Sequence, residues 1–243
     1  MARRALGALV GAAVLVVAAV VGSRHMHQLG VDAAQPVASV AGASVVRAPV
    51  PAEVQVRARA SLLRVESTSC GLTRQGTATV VRLPGTGAGD LAVLTNRHVV
   101  AGTTLAVADD GAWLGDLVVA GSVPRRDAVR LRTTGDLPAD AALEAGPMPE
   151  VGDPVVVAGY PGGEFMAAEG TIVAVQRRHG YGGETQMLLV DVDAEPGLSG
   201  GVVVDRSGRA VGLVAARDPS THDTVAYPIA AVSAGPSAGP PSC

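Results

Sequence analysis

The sequence has no lysine; all 19 of its basic residues are arginine. That absence removes a phosphate-cradling P-loop, Schiff-base catalysis and a serine–lysine dyad, each of which needs a primary amine. Aromatic residues make up 2% of the 243, so a core has to be built from Val, Leu, Ala and Ile, within a hydrophobic content of 48%. The formal net charge is −3, and no basic stripe stands out, so nucleic acid is not an expected partner. No motif supports a cofactor. A metal is not expected either; His25 and His27 in His-Met-His are better read as an exposed stretch than as ligands, and His179 and His222 are isolated. Cysteine is limited to Cys70 and Cys243. The two can pair in an oxidising compartment, or the last residue can be an unused thiol. In the chain-entropy model, closing so long a loop contributes at most roughly 5 kcal/mol.

What is present begins with an address. Arg3 and Arg4 precede an unbroken apolar run from Ala5 to Gly22 with no polar face. As a helix the run spans about 27 Å, close to the ~30 Å hydrocarbon core of a bilayer. A cleaved signal peptide has a shorter apolar region of roughly 7–15 residues. Residues 1–22 therefore read as a signal anchor in preference to a signal peptide, although Ala33-Ala34 suits a late cleavage site. The arginines hold their end in the cytoplasm, so residues from Ser23 onward lie outside it. Two localisations follow: the cell membrane, through this one span, or secretion after cleavage. Residues 23–54 are an Ala/Pro-rich linker without a period.

From Arg57 onward, short β-rich runs alternate with Gly, Pro and Asp. Six lie between Ser61 and Arg132, and six more between Pro154 and Ile229. A dozen such runs at regular spacing indicate an all-β barrel or sandwich. Residues 136–153 are poor in β-branched side chains and join two similar halves, 55–135 and 154–243. Gly85 to Asp90 looks like a nucleotide-binding loop but has no helix after it, and is read as a connection between strands. No helical period stands out beyond the N-terminal run, and one turn after His98 is the expected short helix.

Three segments carry chemistry. Leu94-Thr-Asn-Arg-His98-Val-Val100 ends a strand in a histidine. Arg126-Asp127-Ala-Val-Arg-Leu131 opens a strand with an aspartate. Glu195-Pro-Gly-Leu-Ser199-Gly-Gly201 places a serine in a glycine-flanked turn. A serine hydroxyl needs an adjacent base to become a nucleophile. Histidine can take that proton and return it to a leaving amine, and a carboxylate holds the imidazole in the required tautomer. Gly197 permits a turn whose N–H, with that of Ser199, can bind an oxyanion. Each segment alone is a common structural feature; the order His98, Asp127, Ser199 across two halves is what makes the set informative. Asp140 is the runner-up carboxylate.

With these segments together, the chain resembles the trypsin-like serine proteases of the bacterial, HtrA-like kind, over about residues 60–233. Thr-x-x-His-Val-Val, Asp-x-x-x-Leu and Pro-Gly-x-Ser-Gly-Gly are similar to that family's motifs, as is the Gly159-Tyr160-Pro161 turn. The resemblance implies two six-stranded antiparallel β-barrels of the chymotrypsin-like kind, an acyl-enzyme mechanism and a protein or peptide substrate. It implies that Val214 in Ala210–Val214 walls the primary pocket and that Tyr227 in Ala226–Ile229 closes it. Asp193, six residues before Ser199, falls where trypsin-like relatives place a pocket-base carboxylate selecting Arg or Lys; alternatively it caps a loop or pairs with an arginine. HtrA-like relatives have a small apolar pocket, which Ala215 and Ala216 suit and which is the preferred reading. The cysteine placement more loosely resembles that of the mycobacterial MarP-type protease domain, where a similarly placed pair forms a disulfide.

The departures are specific. Leu198 replaces the Asn or Asp that most relatives have before the nucleophile, so activation through a new N-terminus is not expected. Arg97 stands where Ala is usual, and Arg130 where an apolar residue is usual. No PDZ module is expected after the second half. The competing readings are a catalytically silent double barrel used for binding or sensing, and a structural envelope protein.

Overall fold

The computed structural model describes residues 51–69, 71–83, 91–101, 106–109, 114–133, 139–180 and 183–233. The N-terminal apolar run, most of the linker, the Gly85–Asp90 segment and both cysteines lie outside the described residues. No helix among the described residues is long and apolar enough to cross a membrane.

The chain enters through a helix that the sequence pattern did not disclose, α1 (Ala52–Ala60), which runs across the linker-to-barrel boundary placed after Val54. Pro51 fixes φ at the entry, and the Ser61 hydroxyl closes the far end by donating to the Ala58 carbonyl at 2.7 Å. Only Val54 and Ala58 are buried. They stand four apart on one face, too few to create a visible period, and join the core shared with β8 and β11.

The first half is β1 (Leu62–Ser69), β2 (Leu72–Arg82), β3 (Leu91–Thr95), β4 (Ala106–Asp109), β5 (Leu114–Ser122) and β6 (Val129–Thr133), with a single helical turn, α2 (Arg97–Val100), after β3. Its sheet runs β1-β4-β5-β6-β3-β2, and β1 also pairs with β2, so it curls back on itself. A further short strand, β7 (Leu143–Glu144), lies parallel to β2 at Val81↔Leu143 and makes the sheet seven-stranded. It falls in the stretch read as a connection; two residues are too short a signal for a sequence pattern.

The second half is a closed barrel in the order β10-β13-β12-β11-β8-β9. Its strands are β8 (Pro154–Gly159), β9 (Met166–Gly180), β10 (Gly183–Asp193), β11 (Val202–Asp205), β12 (Ala210–Arg217) and β13 (Asp223–Pro228). A short helix, α3 (Ile229–Ser233), follows. The architecture is all-β and chymotrypsin-like, with few helices.

Successive side chains point to opposite faces of a strand, and in β2, β8, β11, β12 and β13 both faces are largely buried, each supplying a different core. Leu63, Val80 and Val93 fill the first sheet, while Val157, Ile172 and Leu188 fill the barrel. A third core, including Leu94, Ala128, Val156, Leu213 and Tyr227, draws from both halves and locks them together. Arg130, anomalous by sequence, is half-buried, and its Nη2 donates to the Ser233 carbonyl at the end of α3. A cation at a helix C-terminus is favourably placed, and burial lowers its pKa.

Candidate active site

His98 is the second residue of the α2 turn, which is held by burial of Val99 and Val100 and by the Ser67 hydroxyl donating to the Val99 carbonyl at 2.5 Å. Asp127 lies in the turn between β5 and β6. Its carboxylate meets His98 twice: Oδ2 is 2.5 Å from Nδ1, and Oδ1 accepts the His98 backbone N–H at 3.0 Å. The carboxylate is mostly covered, at 18% exposure, while the imidazole is 50% exposed. Two further bonds fix the Asp127 main chain. Asn96 Nδ2 donates to its carbonyl at 2.7 Å, and its own N–H donates to Tyr227 Oη at 3.0 Å. Asp140, by contrast, is exposed in the short turn Ala139–Ala141.

The serine turn is held through its carbonyls. Glu195 O accepts from Leu198 N, Pro196 O from Gly162 N, and Leu198 O from Gly201 N. The other three are gripped by β2: Gly197 O accepts from Thr77 Oγ1 at 2.8 Å, Ser199 O from Thr77 N at 2.8 Å, and Gly200 O from Thr79 Oγ1 at 2.9 Å. With every carbonyl from Glu195 to Gly200 engaged, none is left to turn towards the serine. Among the described residues, the N–H groups of Gly197 and Ser199 have no such partner. Leu198 N and Gly200 N are both used, the latter on Val214 O at 2.9 Å. Two unengaged donors flanking one residue form an anion-binding arrangement.

Glycine is obligatory in this turn. Gly197 has φ +101°, and a Cβ there would lie 2.6 Å from the Tyr160 carbonyl oxygen; at Gly200, with φ +84°, it would lie 1.9 Å from that of Thr77. Leu198 is 1% exposed and belongs to the second-barrel core. Burying such a side chain contributes about 1.5–3 kcal/mol, which anchors the turn without the polar residue usual in relatives. His98, Gly197 and Ser199 line one cleft of about 540 Å³, together with Arg74, Gln75, Val99, Ala101 and Pro196.

A family model described as the trypsin-like peptidase domain matches residues 76–213. The chain belongs to that family. The protein is 29% identical over 192 residues to serine protease Rv3671c of Mycobacterium tuberculosis, covering 76% of this chain and 45% of that one. It is 29% identical over 163 residues to the serine protease Do-like HtrA of Lactococcus lactis subsp. cremoris, covering 63% and 39%. The crystal structure of the Rv3671c protease in its active form superposes with a TM-score of 0.65 at 25% identity, covering 86% of this chain and 98% of that one. The chain thus spans less than half the length of these curated relatives.

Within this trypsin-like frame, the residues expected to form a specificity pocket separate. Asp193, at the end of β10, is exposed and bound by Arg217, with Nε–Oδ1 2.8 Å and Nη2–Oδ2 3.2 Å. That hydrogen bond is the main reason its carboxyl lies below its ordinary pKa and the guanidinium above its own. Val214 bonds the serine turn through its backbone and buries its side chain in the second-barrel core. A bulge between Val214 and Ala216 leaves Ala215 buried and Ala216 exposed. Tyr227, expected to close the pocket, is instead 1% exposed in the shared core with its hydroxyl under Asp127. Sequence reasoning missed Thr77, Thr79, Arg74, Arg217 and the bond that the Tyr227 hydroxyl accepts from the Asp127 N–H. Thr77 and Thr79 do stand out as same-face polar residues in a Val-rich strand, which is the signal that was available.

Proposed function

We propose that this chain is a serine endopeptidase working through an acyl-enzyme, with Ser199 as nucleophile, His98 as general base and acid, and Asp127 as the carboxylate that orients and stabilises the imidazolium. The observation that carries the reading is the paired contact of Asp127 with His98, in a cleft that also contains Ser199. An Asp-bound Nδ1–H directs the basic Nε2 outward. Ser199 attacks the scissile carbonyl as His98 removes its proton. Charge developing on the carbonyl oxygen falls to the Gly197 and Ser199 N–H groups, each such donor contributing about 3 kcal/mol. His98 then protonates the leaving amine, and water reverses the sequence to release the acid.

The acyl-side pocket is small and apolar in this reading. Asp193 is committed to Arg217, so a basic side chain gains no uncommitted carboxylate there. The substrate is a protein or peptide, and the site of action is outside the cytoplasm, by membrane anchoring or secretion; the apolar run at Ala5–Gly22 motivates that placement. The test is labelling of the full-length chain by a fluorophosphonate, beside Ser199→Ala, with folding followed by circular dichroism. Labelling of the parent alone is expected. A folded parent that takes no label, with or without reductant and across pH 5–9, would refute the peptidase reading and leave a silent barrel.

A further inference from the structure

The cleft beside Ser199 carries one guanidinium in its lining, that of Arg74. His98 must deliver a proton to the leaving nitrogen, so the segment after the cleaved bond runs over His98 and onward past Val99 and Ala101. Val99 and Ala101 line the described cleft, whereas no residue of β12 does. The opposite wall of this leaving-group side is Arg74 and Gln75 of β2. Arg74 is half-buried, and its Nη1 donates to the Ala101 carbonyl at 3.3 Å, so the guanidinium reaches across from β2 to the turn after His98. Arg64, paired in register with Thr77 on the neighbouring strand, approaches Gly163 beside the Gln75 amide.

We propose that Arg74 is a specificity-determining residue that selects a carboxylate in the leaving segment, within about three residues after the cleaved bond. A guanidinium donates charge-assisted hydrogen bonds to a carboxylate, and an extended segment advances about 3.3 Å per residue, so an acidic side chain or a free C-terminus there lies within reach. The inference rests on the serine-peptidase reading and adds the substrate class of its leaving-group side.

The experiment compares full-length parent, Arg74→Gln, Arg74→Lys and Arg74→Glu on two kinds of substrate. The first is a chromogenic anilide with no residue after the scissile bond, which reports the chemistry alone. The second is a set of internally quenched peptides with Glu, Gln or Arg at each of the three following positions, each made with a free and an amidated C-terminus. The parent is expected to favour Glu over Gln by about five-fold in kcat/KM, the modest size reflecting partial exposure, with the preference shrinking as salt rises. Arg74→Gln should bring that ratio to about one, Arg74→Glu should favour Arg peptides, and Arg74→Lys should keep part of the selectivity; each variant's anilide turnover is measured in parallel, so that any effect on the His98 turn divides out of the Glu/Gln ratio. Preference retained in amidated peptides assigns the carboxylate to a side chain; preference seen only with free C-termini assigns it to the chain end. Equal cleavage of Glu and Gln peptides by an anilide-active parent, or full preference surviving in Arg74→Gln, overturns the proposal. A parent inactive on the anilide and unlabelled by fluorophosphonate overturns the peptidase reading itself and this inference with it.

Discussion

Tyr227→Phe isolates what one buried hydroxyl does for the proposed triad. The ring is 1% exposed in the core shared by the two halves, and phenylalanine refills that volume, so no cavity opens. What disappears is the acceptor of the Asp127 N–H at 3.0 Å. Burial, the larger influence, raises the pKa of the Tyr227 hydroxyl above its ordinary value, so it stays protonated throughout the working range. A buried N–H left without a partner costs about 1–3 kcal/mol. The Asp127 side chain is 18% exposed, so some water can reach the region, which favours the lower half of that range. The Asn96 amide still holds the Asp127 carbonyl at 2.7 Å, so the loop should loosen and not collapse. Unfolding should therefore cost about 1–1.5 kcal/mol less, which lowers Tm by about 2–6 °C. The His98 contacts depend on that loop, so kcat should fall about three- to ten-fold with KM within two-fold. Asp127→Asn, which removes the carboxylate itself, should approach the about 10⁴-fold loss known for that change in a triad. Calorimetry and steady-state kinetics on an anilide substrate decide the matter. Unchanged kcat and Tm, or a loss confined to KM, would refute the positioning argument.

Two further outcomes follow from charge. Arg217→Ala releases the Asp193 carboxylate at the end of β10, and cleavage of substrates with Arg before the scissile bond should rise at least several-fold relative to Ala, read from a peptide library; an unchanged profile would mean that Asp193 does not face the pocket. Asp218 is buried, accepts from Ser220 Oγ and N and from Thr221 N, and pairs with Arg178 at 2.6 Å; these bonds, those of Ser220 first, hold its carboxyl far below the usual carboxylate range. A depressed folded pKa contributes stability that is present above the ordinary value near 4 and is lost as pH falls below it. Asp218→Asn should thus cost about 1–3 kcal/mol at pH 7, and its denaturation midpoint should converge on the parent's as pH drops from 4 towards 2; a pH-independent gap would contradict the linkage.

Most of the β-structure was readable because Val-rich runs bounded by Gly and Pro are long enough to show. His98, Asp127 and Ser199 stood out through local grammar: a strand end, a strand opening and a glycine turn. What escaped depends on partners distant in sequence. Alternation in Thr77-Ala78-Thr79 marks a strand and nothing more, yet both threonine hydroxyls grip a turn some 120 residues away. The Asp193–Arg217 pair joins the ends of two strands, so pattern could only leave Asp193 open between pocket and ion pair. Tyr227 looked like part of a pocket wall because nothing local indicates that its hydroxyl reaches Asp127. Helix α1 rests on two buried residues, below the threshold of any period.

The grip of Thr77 and Thr79 on the serine turn has a consequence in time. A chain is made from its N-terminus, so the clamp is synthesised 120 residues before the turn it holds, and β12, whose Val214 backbone fixes Gly200 and Gly201, later still. A nascent chain therefore owns the histidine and aspartate long before it owns a shaped serine. The proposed triad is therefore assembled only once both halves have closed on each other, which places the onset of its chemistry after folding and not during synthesis.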